Sequence, residues 1–270
     1  ACSAIERLRY PVAYLRATQD GIITPTELER VISNTTRLVS IMLVNNEIGT
    51  IQPVKELCAI AHAHGAIFHT DAVQALGHIP VDVRELGVDI LSASAHKFNG
   101  PKGIGFMYIR KGTSIAPYAD GGAQEKGLRA GTENIASIIG MSVALKKNCD
   151  AMAINAVYLK QLDETLIKAL DDSGIDYIRN GREPRIPGIN SLSFKDVNGE
   201  ALLHRLDLMG ICVSTGSACD SVNTQISHVL QAIGLPTEYA QGTIRISLGK
   251  GNTQEETETI ARAILHIIKR

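Results

Sequence analysis

In its first half this chain repeatedly alternates short unbroken apolar runs with stretches of helical periodicity. Residues 38–44, 66–70 and 88–93 are apolar runs of strand length, and residues 104–109 read as a further strand. Between them, Val54, Leu57, Cys58 and Ala61 fall on one helical face, and Gly65 stands where a left-handed residue closes a helix. Thr24-Pro25-Thr26-Glu27 predicts a helix start, with Thr24 as N-cap, proline in the first turn and Glu27 three residues on. Residues 81–86 read as a short helix and residues 11–15 as a candidate strand. Strands and helices in this rhythm imply a largely parallel sheet with crossover helices. In such sheets ligands bind beyond the carboxyl ends of the strands. Asn46, Asp71 and Lys97 all fall there.

After Gly131 the pattern changes. Residues 134–145 and 151–170 read as a long helical connection. Strand-like pieces follow at 176–178, 189–194, 211–214 and 243–248, with helices near 199–208, 227–233 and 254–268. The expectation is an α/β protein with two domains, a large mainly parallel one over residues 1–155 and a smaller α+β one over 156–270.

The 270 residues are 44% apolar and 20% charged, the profile of a globular protein with a sizeable core. A formal net charge of −1 argues against nucleic-acid binding or attachment to a membrane surface, and no apolar run is long enough to span a bilayer. Five cysteines with no Cys-x-x-Cys favour a reducing compartment, the cytoplasm or an organelle matrix. Cys58 and His62 share a helix face while His64 does not, which is too few groups for a metal site.

Lys97 lies in Ser94-Ala95-His96-Lys97, just past a buried strand and before a Gly/Pro-rich turn. Desolvation there would disfavour its ammonium form and suit the amine to nucleophilic or basic chemistry. Such an amine can hold a carbonyl compound as an imine. The Asp71 carboxylate could hold a protonated pyridine nitrogen, as pyridoxal phosphate requires. Gln74 is placed to reach a ring hydroxyl, and Ser94 and His96 offer hydrogen bonds to phosphate. Taken singly, each has an ordinary role as a cap or as a solvated or turn residue.

Together they form an ordered set: Val44-Asn45-Asn46-Glu47-Ile48-Gly49, His69-Thr70-Asp71-Ala72-Val73-Gln74, Ser94-Ala95-His96-Lys97, Gly100-Pro101-Lys102-Gly103 and Arg129-Ala130-Gly131-Thr132-Glu133. Over essentially its whole length the chain resembles the cysteine desulfurases of the NifS/IscS type, within the fold-type I, class-V aminotransferase group of pyridoxal-phosphate enzymes. The resemblance implies an incomplete fold-type I large domain and a cofactor bound covalently to Lys97. It makes Asp71 the partner of the ring nitrogen, Gln74 of the ring oxygen, and Ser94 and His96 of the phosphate. By the same resemblance Asn46 would lie over the cofactor near the substrate carboxylate. Thr132 reaches the phosphate of a neighbouring subunit, which implies a homodimer.

In the second domain, Ser214-Thr215-Gly216-Ser217-Ala218-Cys219-Asp220-Ser221 sets one cysteine among small polar residues that make a poor core, so an exposed loop is expected. By resemblance Cys219 is the nucleophile that takes sulfur from L-cysteine as a persulfide, leaving L-alanine. Its Gly-Ser-Ala-Cys form resembles the group that delivers sulfur to scaffold or carrier proteins, as in iron–sulfur cluster assembly. Arg245 alternates with Ile244 and Ile246, so it faces away from their side of the strand. An edge-strand salt bridge is its plain role. The resemblance instead pairs it bidentately with the substrate carboxylate. A selenocysteine lyase of the same group is the alternative enzyme. The family's N-terminal phosphate-cradling turn and ring-stacking histidine have no counterpart here, and Cys2 falls where that histidine is expected. A cofactor-poor, non-catalytic partner is therefore the alternative outside enzymes.

Overall fold

The computed structural model describes residues 2–215 and 226–269. Its first half contains helices α1 (Cys2–Arg7), α2 (Pro25–Val31), α3 (Val54–Ala63) and α4 (Val83–Leu86), with strands β1 (Leu38–Ser40), β2 (Ile67–Asp71), β3 (Ile90–Ser94) and β4 (Gly105–Ile109). The strands form one sheet in the order β1-β2-β3-β4, parallel except for the last pairing. Phe68, Thr70, Leu91 and Ala93 are buried on one face of β2 and β3. Val54, Leu57, Cys58 and Ala61 of α3 lie in the same core. The opposite face is half-buried and polar toward the carboxyl ends of the strands, where it carries His69, Asp71, Ser92 and Ser94 beyond Ile67 and Ile90.

Local chemistry accounts for the helix ends. The Thr24 hydroxyl accepts the Glu27 N–H at 3.1 Å, as expected. The Glu27 carboxylate does not return the bond to Thr24. It accepts the Arg16 N–H at 2.9 Å and pairs with Arg30 instead. Gly65, at φ +74°, turns the chain out of α3 into β2. Residues 11–15 form no strand. Beyond β1, Ile41 N–H and Leu43 N–H still donate to His69 and Asp71 carbonyls, so the run as far as Val44 follows β2 although only its first part is regular strand.

Helix α5 (Ile135–Asp171) is continuous where two pieces are expected. Asn148, Cys149 and Asp150 look like a break, but Asn148 is buried and bonded within the fold. The helix links the first sheet to an antiparallel one of β5 (Tyr177–Arg179), β6 (Ile189–Phe194), β7 (Ser214–Thr215) and β8 (Thr243–Ser247), ordered β5-β6-β8-β7. Residue 155 lies within this helix. Helices α6 (Gly199–Asp207), α7 (His228–Ala232), α8 (Thr237–Ala240) and α9 (Gln254–Ile268) complete the second half. Leu162, Leu166 and Leu170 of α5 share a core with Leu192, Phe194, Ile244, Ile246 and Ile264. Helix α9 begins with a full capping box, Thr253 and Glu256 each bonding the other's backbone N–H.

Candidate functional site

Lys97 sits in a 3₁₀ turn, Ala95–Phe98, directly after β3. Two side chains clamp the backbone of this turn. His78 Nε2 donates to the Lys97 carbonyl at 2.9 Å, and Asn148 Nδ2 of α5 donates to the Phe98 carbonyl at 2.7 Å. The same Nδ2 also donates to the Ala144 carbonyl of its own helix at 2.9 Å, so one amide bridges α5 and the turn. The root of Lys97 is held while its side chain is exposed. The burial expected for its amine is not found. The side chain instead lines a cavity of about 500 Å³, a volume suited to a small ligand.

Both halves of the chain build this cavity. Lys97, Gln74, His78 and Asn46 line it from the first half, and Gly188 and Arg245 from the second. Asn46 belongs to a tight turn in which Asn45 Oδ1 accepts the N–H groups of Glu47 and Ile48 at 2.9 and 3.1 Å. Arg245 projects from β8, which lies between β6 and β7, so it is not on an edge strand. Its Nη1 donates to the Asn46 carbonyl at 3.1 Å, while its buried Nε has no partner among the described residues. A guanidinium with a free, desolvated N–H beside a cavity is a ready anion acceptor, and a carboxylate matches its fork.

The wall at Gly188 is set from below. Asp163, 5% exposed on α5, accepts the Gly188 N–H at 3.0 Å, Asn190 Nδ2 at 2.6 Å and Arg179 Nη2 at 3.4 Å. Gly188 has φ +89°, and a Cβ there would meet the Leu248 carbonyl at 2.6 Å, so the wall tolerates no side chain.

Asp71 ends β2 on the polar face, its Oδ1 accepting the Val73 N–H at 2.9 Å. Ser94 Oγ meets His96 Nδ1 at 2.8 Å. These three residues lie at the same end of the sheet as the cavity but do not line it, and neither does Thr132, exposed in the loop before α5. His69 spans the polar face between Ser40 Oγ (2.8 Å) and Ser92 Oγ (3.2 Å). Burial lowers its pKa below the ordinary histidine value, with Asp71 opposing. His69, His78, Asn148 and Asp163 were not singled out from sequence. Alternation in β2 could have placed His69 beside Asp71, but the others depend on contacts distant in the chain. Cys219 lies outside the described residues. The described chain on either side of it ends at Thr215, next to Ser214, which pairs with Arg245, and resumes at Ile226 and Ser227.

Cys58 and His62 belong to a structural cluster. His62 Nε2 meets Asp89 Oδ2 at 2.8 Å, and Asp89 also accepts the Phe68 N–H at 2.8 Å and pairs with Arg110 at 3.3 Å. Burial pushes the Cys58 thiol up to about 11, so it is no nucleophile.

The donor set fits pyridoxal phosphate. At the cavity stand an amine able to form an imine, an amide and a guanidinium N–H without a partner among the described residues, and a strand-end carboxylate lies at the same end of the sheet.

Comparison with known proteins agrees with this chemistry. The Aminotransferase class-V family matches residues 1–260. A cysteine desulfurase IscS from Dictyoglomus turgidum is 46% identical over all of this chain and 68% of its own length. A solved NifS-like protein superposes with a TM-score of 0.91 at 38% identity, covering 99% of this chain and 71% of that one. The structure of SspA in complex with cysteine gives 0.79 at 32% identity, over 93% and 70% of the two chains.

Proposed function

The chain belongs to the class-V aminotransferase family, and from that premise we propose that it is a pyridoxal-phosphate-dependent cysteine desulfurase. It converts L-cysteine to L-alanine and places the sulfur on Cys219. The observation that carries this reading is the convergence of Lys97, Gln74, Asn46 and Arg245, from both halves of the chain, on one cavity. When bound, pyridoxal phosphate supplies the electron sink that loosens bonds at the substrate's α- and β-carbons.

The chain's own groups do the rest. Lys97, on its clamped turn, holds the cofactor and then moves a proton at the substrate's α-carbon. Asp71 holds the ring nitrogen, Gln74 the ring oxygen, and Ser94 and His96 the phosphate. Arg245 takes the substrate carboxylate, with its Nη1 steadied by the Asn46 carbonyl and the Asn46 side chain alongside. The Cys219 thiolate attacks the substrate sulfur. The carbon–sulfur bond breaks and a sulfur–sulfur bond forms. The electron pair of the broken bond stays with the β-carbon, which takes a proton. Carbon is reduced and sulfur oxidised, so no outside oxidant is needed.

In the same reading Thr132 serves the phosphate of a second copy in a homodimer, and the persulfide passes to a scaffold or carrier protein for iron–sulfur or thio-cofactor assembly in the cytoplasm. No helix among the described residues is long and apolar enough to cross a membrane.

The deciding experiment loads the chain with pyridoxal phosphate and divides it: one portion is reduced with borohydride and its labelled peptide mapped, and an unreduced portion is given L-cysteine and assayed for persulfide. The expected result is label on Lys97 and persulfide on Cys219, with Cys219→Ser losing the persulfide alone. Label scattered over surface lysines sinks the cofactor assignment. Selenide release from selenocysteine in Cys219→Ser, with L-cysteine unused, favours the lyase instead.

A further inference from the structure

One buried charge beside the cavity has no part in the scheme above. Glu47 is 6% exposed, one residue from Asn46, and its Oε2 accepts the Ser227 hydroxyl at 2.6 Å. Ser227 is also buried, and its Oγ caps α7 by accepting the Val229 N–H at 3.1 Å. Next to this contact Ile48 packs with Val229, Leu230 and Ile233 in a small core separate from those of the two sheets. Turn 45–49 and helix α7 are therefore joined by both a hydrogen bond and a packed core. Burial pushes the Glu47 carboxyl above its ordinary range, with the Ser227 hydrogen bond, His228 and Arg245 pulling the other way. A glutamine could accept the same hydrogen bond without the cost of a buried charge, and departures of this kind cluster at functional sites.

Topology gives the contact a task. Turn 45–49 supplies Asn46, whose carbonyl steadies Arg245. Helix α7 begins where the Cys219-bearing segment ends. At the other end of that segment, Ser214 of β7 stands opposite Arg245 in the sheet. Both attachments of the segment are thus tied to the Arg245–Asn46 pair, one through a strand ladder and the other through Glu47 and Ser227. Ser227 follows Cys219 by eight positions in sequence, so whatever its path the chain keeps Cys219 within roughly 28 Å of this anchor.

We propose, on the basis of the desulfurase reading, that Glu47 is a positioning residue for sulfur transfer. By holding Ser227 it fixes the far attachment of the Cys219 segment to the turn that carries Asn46. The transfer of sulfur to Cys219 depends on this contact; proton removal at the substrate's α-carbon does not, because the turn that sets the Asn46 carbonyl against Arg245 is also held by its own bonds to Asn45.

The test exchanges donor and acceptor. Ser227→Asp keeps the helix cap, since aspartate caps as well as serine, but sets two carboxylates against each other. Adding Glu47→Gln gives the new carboxylate an amide donor. Three readouts on the full chain separate the steps: persulfide on Cys219 in a single turnover with L-cysteine, exchange of the α-proton of L-alanine into deuterated water, and amide hydrogen exchange over residues 226–232 without cofactor. Ser227→Asp is expected to slow persulfide formation tenfold or more, leave α-proton exchange within twofold and speed amide exchange at α7. The double variant should recover persulfide formation to within threefold. Ser227→Ala, which removes the donor without adding charge, should show the same separation more weakly. Equal loss in both chemical readouts, a loss below threefold, or no recovery in the double variant overturns the inference. If the unsubstituted chain forms no persulfide on Cys219, the desulfurase reading itself has failed, which is a different result.

Discussion

Replacing Asp163 with alanine tests whether the cavity wall at Gly188 is held by a buried carboxylate. The substitution removes the acceptor for the Asn190 amide, the Gly188 N–H and one arm of Arg179. Arg179 keeps Asn190 Oδ1 at 2.7 Å and is only half-buried, so the cost falls mainly on the Asn190 amide and the Gly188 N–H. Two stranded donors at about 1–3 kcal/mol each give about 2–6 kcal/mol. The middle of that range, about 4 kcal/mol, lowers the thermal midpoint of a chain of this size by about 8–16 °C. Asp163→Asn keeps volume and one acceptor oxygen but turns an NH₂ toward existing donors, and should cost about half as much. Calorimetry of the chain without ligand reads both values. Because Gly188 lines the cavity, the asparagine variant should also raise KM for L-cysteine more than it lowers kcat. A midpoint within about 2 °C of the unsubstituted protein for Asp163→Ala would refute the reasoning, since a solvated carboxylate costs little to remove.

Arg245→Lys keeps the charge but loses the fork and the Nε donor. Steady-state kinetics should show kcat/KM for L-cysteine falling about 10- to 100-fold, or about 1.4–2.7 kcal/mol, and an unchanged value would remove Arg245 from substrate binding. Cys58 should resist alkylation at pH 8 in the folded chain while the exposed Cys2, Cys149 and Cys212 react, as peptide mapping with and without denaturant would show. Hydrogen bonds from Arg30 and from the Arg16 backbone hold the Glu27 carboxyl down at about 2, below its ordinary 4.5. Because the folded pKa is depressed, its stabilising contribution is present above about 4.5 and is lost as pH falls through about 2. Carboxyl NMR should place the Glu27 midpoint there, and Arg30→Ala should raise it; a midpoint near 4.5 in the unsubstituted protein contradicts the pairing.

Where local patterns dominate, sequence was a good guide. The Thr24 cap, the Gly65 stop, strand β6 and helix α9 form where residue type and spacing put them. The positions of Asn46, Asp71 and Lys97 at one end of a parallel sheet were legible too, because crossover topology brings successive strand ends to one edge. What could not be read was long-range. Asn148 reads as a helix break until its amide is seen capping Phe98, fifty residues away. Asp163 reads as a surface aspartate until β6 and the Gly188 turn pack over it. Lys97 was expected to be desolvated because it directly follows a buried strand, yet the turn that ends the strand carries its side chain out to the surface. Glu47 stood inside a quoted motif, but its worth depends on Ser227, 180 residues on.

The 37-residue α5 also acts as a phase gear. Asn148 engages the Lys97 turn, and fourteen residues later Leu162 engages the core of the second sheet. Each residue of helix adds about 100° of rotation and 1.5 Å of advance. A single insertion between those two points would swing the Arg245 side of the cavity through more than a quarter of a circle relative to Lys97. Exposed side chains on this span that face away from the cavity can be exchanged at little cost, whereas any change in its length turns one wall of the cavity against the other.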